Sequence, residues 1–325
     1  MKLVLAFCAT VLSTYVAQPS FAATIYVAHW NGGTNNSGVG EYDAATGAAI
    51  NASFITGLSD PDGLVLSGNT LFLSDSALNT VGEYNATTGA AINADFISAN
   101  DPNGLLISGN ILYVTNFDIG VPGGGTIGTY DATTGATINA NFITGLSGDN
   151  ELALSGNTLY VAGTGTVGEY DATTGAAINR DFITESGSLS GLVLSGNTLF
   201  AADIMVAASC QGVCPSGTVG EYSATTGAAI NGSLITGLGD PGEIALLGDN
   251  LFVSNWISGT VGEYDATTGA AINAIFITGL GDANGIAAAS TPEPSTWFTI
   301  ALGGVALFGA GRGRKAAFLQ AATAK

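Results

Sequence analysis

Glu83-Tyr-Asn-Ala-Thr-Thr-Gly89 is one of six versions of a single phrase, and its recurrence decides the fold. The others are Glu41-Tyr-Asp-Ala-Ala-Thr-Gly47, Thr129-Tyr-Asp-Ala-Thr-Thr-Gly135, Glu169-Tyr-Asp-Ala-Thr-Thr-Gly175, Glu221-Tyr-Ser-Ala-Thr-Thr-Gly227 and Glu263-Tyr-Asp-Ala-Thr-Thr-Gly269. Their tyrosines stand at 42, 84, 130, 170, 222 and 264, giving steps of 42, 46, 40, 52 and 42 residues. A period in the forties means that one supersecondary unit is stacked again and again.

Working outward from Tyr84, the unit contains four short β-rich runs. They are Gly63-Leu-Val-Leu-Ser67 (strand A), Thr70-Leu-Phe-Leu-Ser74 (B), Thr80-Val-Gly-Glu-Tyr84 (C) and Ala90-Ala-Ile-Asn-Ala-Asp-Phe-Ile97 (D). Strands A and B are almost wholly apolar, which suits burial on both faces. Strand D carries Asn93 and Asp95, which suits an outer edge that must resist pairing with another chain. The phrase itself is the C–D turn: its Asp, Asn or Ser can bond the turn backbone, and its Gly can take positive φ.

The ends of the array fall inside a unit. Thr24-Ile-Tyr-Val-Ala-His-Trp30 reads as a strand B with no A before it, and Asn284-Gly-Ile-Ala-Ala-Ala289 reads as a strand A with no B after it. The two fragments complete each other if the array closes, which also removes the exposed ends of an open stack. The expectation is an all-β, six-bladed β-propeller with four-stranded blades over residues 23–290, closed by the N- and C-terminal strands sharing one blade. An open β-solenoid or two stacked sheets is the alternative that the period alone leaves. The order Pro-x-Gly, apolar strand, turn and aromatic strand resembles NHL-type six-bladed propellers, although the basic residue of that family's strand C is absent here.

Composition narrows the function. Of 325 residues 46% are apolar and only 10% charged, with 48 glycines and a net charge of −19. Between Ala23 and Ser290 the single basic residue, Arg180, faces 24 of the 25 acids, a balance of −23. Such a surface has nothing to neutralise phosphates, which excludes nucleic acid as a partner.

Both termini read as addresses. Residues 1–22 combine Lys2, the apolar run Leu3–Leu12 and the close Ser20-Phe21-Ala22, the pattern of a cleaved signal peptide. Cys8 lies within the apolar run behind Phe7, out of place for a lipoprotein anchor. At the other end stand Pro292-Glu293-Pro294, an apolar segment over about 297–310, and the basic cluster Arg312, Arg314 and Lys315. Residues 291–315 resemble the PEP-CTERM sorting signal of exported bacterial proteins. That resemblance implies an exosortase-type processing enzyme as partner, an inner-membrane stop during sorting, and a final place at the cell surface or outside it, often among exopolysaccharide. The apolar stretch is shorter than the ~20 residues that span a bilayer comfortably, and the basic cluster would hold its far side in the cytoplasm. An ordinary C-terminal membrane helix is the plainer reading. Residues 316–325 extend past the cluster, where family members usually end.

Comparison among the repeats locates the working face. In a propeller the A–B and C–D turns share one face, and the D–A and B–C loops share the other. Here the first face is uniform and the second varies, and variable loops on a rigid scaffold carry binding. Two polar rings fall there. Near the end of strand B stand His29, Asp75, Asn116, Asp203 and Asn255, the expected ligand-binding face. At the start of strand A stand Asp62, Asn103, Asn150 and Asn284, joined by Glu151, a set of oxygen ligands that would suit Ca²⁺. Lactonase-like six-bladed propellers hold a metal in a comparable place. Against both rings, Asp, Asn and Gly are also the commonest turn residues.

Other motifs carry less. Gly123-Gly-Gly-Thr-Ile-Gly128 and Gly163-Thr-Gly-Thr-Val-Gly168 match G-x-G-x-x-G but lead into strands, where dinucleotide binding needs a helix, and they read as turns. Cys210 and Cys214 share one exported loop, which suits a local disulfide. Trp30 and Trp256 are equivalent positions in neighbouring repeats and read as packing residues, with stacking on a sugar as the other use. No catalytic residue is assigned. The expected function is a non-enzymatic surface or matrix protein, a binding or structural module associated with exopolysaccharide; the alternative is a Ca²⁺-dependent lactonase- or lyase-like enzyme.

Overall fold

The computed structural model describes residues 23–32, 37–117, 121, 123–148, 151–204 and 217–289. The signal peptide, the sorting tail, Asn150, Cys210 and Cys214 lie outside the described residues. Residues 1–290 form one compact unit, separate from 291–325. Secondary structure among the described residues is entirely β.

Strands β1 (Thr24–Trp30), β2 (Gly38–Asp43) and β3 (Ala49–Thr56) are followed by β4 (Pro61–Ser67), β5 (Thr70–Asp75), β6 (Thr80–Asn85) and β7 (Ala91–Ser98). Next come β8 (Pro102–Ser108), β9 (Ile111–Asn116), β10 (Gly125–Asp131) and β11 (Thr137–Leu146). The chain continues through β12 (Leu152–Ser155), β13 (Thr158–Asp171), β14 (Ala177–Ser195), β15 (Thr198–Ile204), β16 (Gly217–Ser223) and β17 (Ala229–Leu238). It ends with β18 (Pro241–Leu247), β19 (Asn250–Asn255), β20 (Thr260–Asp265), β21 (Ala271–Ile277) and β22 (Asp282–Ala289).

These strands form a propeller-like arrangement of five antiparallel sheets, not the six expected. Four are four-stranded: β22-β1-β2-β3, β4-β5-β6-β7, β8-β9-β10-β11 and β18-β19-β20-β21. The fifth, β12-β13-β14-β15-β16-β17, has six strands and holds two copies of the phrase. The difference is local. Three of the other D–A connections carry a proline, at Pro61, Pro102 and Pro241; Glu185-Ser-Gly-Ser188 has none, so nothing in it bars an extended run, although the connections before Leu152 and Asp282 lack proline too and still break. Strand β14 passes straight through, and Ser188 pairs with Thr164 on one side and Ile204 on the other. The motif Gly163–Gly168 is likewise not a free turn. It lies inside β13, where Gly165 bends the strand at φ +76°.

The terminal strands do share a sheet: β1 pairs with β22 from Thr24↔Ala289 to Trp30↔Asp282. The innermost strands also close on themselves. β4 lies against β8, β8 against β12, β12 against β14, β14 against β18, β18 against β22, and β22 against β4. Between consecutive repeats sits one apolar cluster each; that of Ile25, Val27, Phe252, Phe276 and Ile286 joins the last repeat to the first. Leu71, Leu112, Leu159, Leu199 and Leu251 occupy one strand-B position and are fully buried, each contributing roughly 1.5–3 kcal/mol.

The repeated phrase does more than turn the chain. Its Asp accepts as expected: Oδ1 of Asp131 takes the Thr133 and Thr134 N–H groups at 3.0 and 2.8 Å and the Thr134 hydroxyl at 2.9 Å. Those bonds, the Thr134 hydroxyl first, hold the Asp131 carboxyl below the usual range. Its Tyr, buried in every repeat, folds back over the Gly two residues earlier, as Tyr84 does over Gly82, so a side chain there would displace the ring. Its Gly both takes positive φ and abuts the previous repeat. A Cβ on Gly89 would meet the Phe54 carbonyl, and one on Gly47 would meet the Phe276 carbonyl across the first-to-last junction. On the outer strand, Asn51, Asn93, Asn139, Asn179, Asn231 and Asn273 each accept the N–H two residues on, at 3.1–3.2 Å. That bond occupies an edge donor which would otherwise recruit another chain.

Candidate functional site

The D–A loops are tied to the B–C loops that follow strand B. The carbonyls of Asp60, Asp101 and Asp240 accept N–H bonds from Ser76, Phe117 and Trp256 at 2.9–3.0 Å. Asp101 and Asp240 adopt φ of +47° and +62° to do so, a conformation that Asp tolerates better than most residues. These ties bring acidic side chains and aromatic rings together around a cavity of about 410 Å³. Its lining includes Asp60, Asp62, Asp101, Asn103, Glu151, Ser190, Asp240, Glu243 and Asn284, with Trp30, Phe117 and Trp256. The two tryptophans thus line the cavity, and Trp256 is 43% exposed.

The expected strand-A ring converges here. Asp62, Asn103, Glu151 and Asn284 all line the cavity. Asn284 of β22 donates its amide to Asp62 Oδ1 of β4, joining the sheet shared by the terminal strands to the next one. The backbones that present these residues are pinned by hydroxyls on strand B: Ser74 Oγ donates to the Asn103 carbonyl and Ser254 Oγ to the Asn284 carbonyl, both at 2.6 Å. Where strand B has Ala202 instead, Ser190 Oγ from strand A takes over, donating to the Pro241 carbonyl at 2.5 Å.

At the cavity floor lie two glutamates. Aligned on strand A, one column reads Gly63, Gly104, Glu151, Gly191, Glu243 and Gly285. Four positions are empty of side chain, and the two that are not reach each other: the Glu151 and Glu243 carboxyls are hydrogen-bonded. Glu243 Oε2 also accepts the Ile286 N–H at 2.7 Å, and the Leu64 N–H bonds the same carboxylate. Desolvation nevertheless outweighs those bonds and raises the Glu243 carboxyl to about 8, so the pair holds a proton at neutral pH. Asp60 and Asp240 are raised too, by burial first and, for Asp60, also by neighbouring Asp75, Asp101 and Asp282.

The strand-B ring has a different place. His29, Asp75, Asn116, Asp203 and Asn255 are all buried, and none lines the cavity. Asp75 accepts the N–H groups of Ser59, Asp60 and Leu78 at 2.8–3.1 Å, and Asn255 Oδ1 that of Gly239 at 3.3 Å. Asn116 donates to the Val114 carbonyl and the Thr126 hydroxyl. Asp75 and Asn255 thus fasten loops. At Asp203 β14 runs where the loop stands in other repeats, and its Oδ1, like Asn116 Oδ1, has no hydrogen-bond partner. Burial, then the charge of Glu185, raises its carboxyl to about 6. Glu185 in turn accepts the Tyr222 hydroxyl at 2.6 Å, and burial drives that phenol upward.

Glu243 and the rim acids Asp60, Asp101 and Asp240 were not singled out from sequence. The available signal was the column: two glutamates where the other repeats have glycine. As for calcium, no three His, Cys, Asp or Glu side chains among the described residues group as a metal-holding set. Asp62 Oδ1 accepts the Asn284 amide, and the Glu151 and Glu243 carboxyls bond each other.

Residues 290–315 match the family model of the PEP-CTERM protein-sorting motif. No curated protein matches the chain. Among solved structures, a chain of a nidogen/laminin complex is similar at TM-score 0.63 and 14% identity, over 82% of this chain and 98% of that one. The computationally designed Ika8 protein is similar at TM-score 0.45 and 17% identity, over 78% of this chain and 74% of that one. The sorting motif makes this an exported protein that an exosortase recognises. It is held in the membrane by its C-terminus in transit and ends at the surface or outside the cell.

Proposed function

We propose that the mature body, residues 23–290, works as a non-enzymatic binding module of the extracellular polysaccharide layer, delivered there by the tail of residues 291–315. The strands are counted as a six-bladed, NHL-like ring in which the six-stranded sheet is two blades run together. The observation that carries the binding reading is the cavity itself. Aromatic faces at the rim and fixed carboxyl and amide groups below them are the complement of a sugar, whose ring stacks and whose hydroxyls bond. The chain's only histidine, His29, is buried away from the cavity, which leaves a bed of carboxyl and amide groups suited to holding hydroxyls. The test is co-sedimentation of the full chain with polysaccharide secreted by its own host, alongside mass spectrometry of its C-terminus after fractionation. Binding that Trp256→Ala abolishes, with residues 297–325 removed from surface material, is expected. No binding sinks the module reading, and an intact tail on surface protein sinks the processing step.

A further inference from the structure

The proposed module leaves open which sugar the cavity takes, and the charge of the site narrows that choice. Among the described residues six carboxyl groups line the cavity and no Lys, Arg or His does. The body's one basic residue, Arg180, is occupied elsewhere, its guanidinium 5.6 Å from the centre of the Tyr170 ring. A uronic acid or a phosphorylated sugar would add a further negative charge to this set, and like charges at short range in a partly desolvated site cost affinity. A neutral sugar would be admitted but would leave the carboxylates unneutralised. Asp240 lines the cavity with an Oδ1 that is shielded from solvent and takes no hydrogen bond. Trp30, Phe117 and Trp256 line the same cavity, and aromatic rings attract a cation on their faces as well as stacking on a pyranose.

Resting on the binding-module reading, we infer that the cavity is a receptor for a cationic amino sugar. The ligand is a hexosamine unit with a free, protonated amine, its ring against Trp256 and its ammonium among Asp60, Asp101 and Asp240. Such a ligand supplies in one residue the positive charge the site lacks and the flat apolar face the rim fits. A fully N-acetylated or acidic glycan supplies only part of that.

The test is calorimetric titration of the full chain in detergent at pH 6 with three hexamers: β-1,4-glucosamine, its fully N-acetylated counterpart, and galacturonic acid. The glucosamine hexamer should bind at least tenfold tighter than the acetylated one and weaken steeply with salt, and the uronate should not bind. Asp240→Asn, which keeps the left-handed backbone accessible, should erase most of the preference while leaving the acetylated hexamer unaffected. Trp256→Ala should weaken both. Equal binding of the free-amine and acetylated hexamers overturns the amino-sugar assignment but leaves the glycan module standing. Undiminished glucosamine binding by the Asp240→Asn/Trp256→Ala double variant shows diffuse charge attraction and also overturns it. If neither these hexamers nor the host's own polysaccharide bind, the module reading falls as well.

Discussion

The two faces of the protein are made by the same repeats, yet they obey different rules. On the turn face every repeat has the same backbone turn bonds, the same buried tyrosine and the same glycine pressed on its predecessor. On the loop face the same strand positions are filled differently: glycine or glutamate in the strand-A column, Asp, Asn or His at the end of strand B. The C–D turns of that face are fixed by sterics, because the Gly of each phrase contacts backbone of the neighbouring repeat and no side chain fits. The loop face is fixed by hydrogen bonds to individual loops, which can change one repeat at a time.

The sharpest way to break the comparison is to put a side chain on the turn face. Gly89→Val adds a branched Cβ at φ +70° directly against the Phe54 carbonyl. Left-handed strain and overpacking together should cost about 4 kcal/mol, read by urea unfolding, and a fraction of the protein should fail to fold. Gly68→Ala, at φ +59° in an A–B turn with open space around it, should cost only about 1 kcal/mol. Equal costs would mean that the phrase is a turn and nothing more.

On the loop face the contrast lies between two aspartates at one position. Asp75→Ala strips the acceptor from three loop N–H groups and should cost about 2–3 kcal/mol. Asp203 has lost its loop, so Asp203→Asn should be neutral or stabilising at pH 7. Because the Asp203 carboxyl is raised to about 6, the fold favours its protonated form. Its contribution is complete below the unfolded value near 3.8 and is lost as pH rises through 6. The Asn variant should therefore gain on wild type between pH 4 and pH 7 in the same unfolding assay. A constant gap would show that Asp203 does not titrate with folding.

These contrasts show what could be read from residues alone. Strand positions and the pairing of β1 with β22 were legible because alternation and turn residues act within a few positions. The merging of two repeats into one sheet was not, because it depends on Ser188 pairing with Thr164 and Ile204 at once, long-range contacts to which the phrase count is blind. Both rings sit beside variable loops, yet Asp62, Asn103, Glu151 and Asn284 line the cavity while His29, Asp75, Asn116, Asp203 and Asn255 are buried outside its lining, a distinction that position along a strand does not carry. Glu243 shows no signal of its own; its meaning lies in the glycines that stand for it in other repeats.

The smallest effect tests the site rather than the scaffold. With its carboxyl raised to about 8 by desolvation, Glu243 is protonated in the fold at pH 7 and ionised in the unfolded chain, whose ordinary value is 4.5. Its stabilising contribution is thus full below pH 4.5 and declines as pH rises to about 8. Glu243→Gln keeps the shape, and its amide can stand in for the shared proton by donating to Glu151. The melting temperature of the wild type should fall between pH 6 and pH 9 more than that of the Gln variant, a difference of a few degrees. Parallel curves would mean that the two glutamates share no proton, and that the cavity floor is a charged pair held apart by the Ile286 and Leu64 amides.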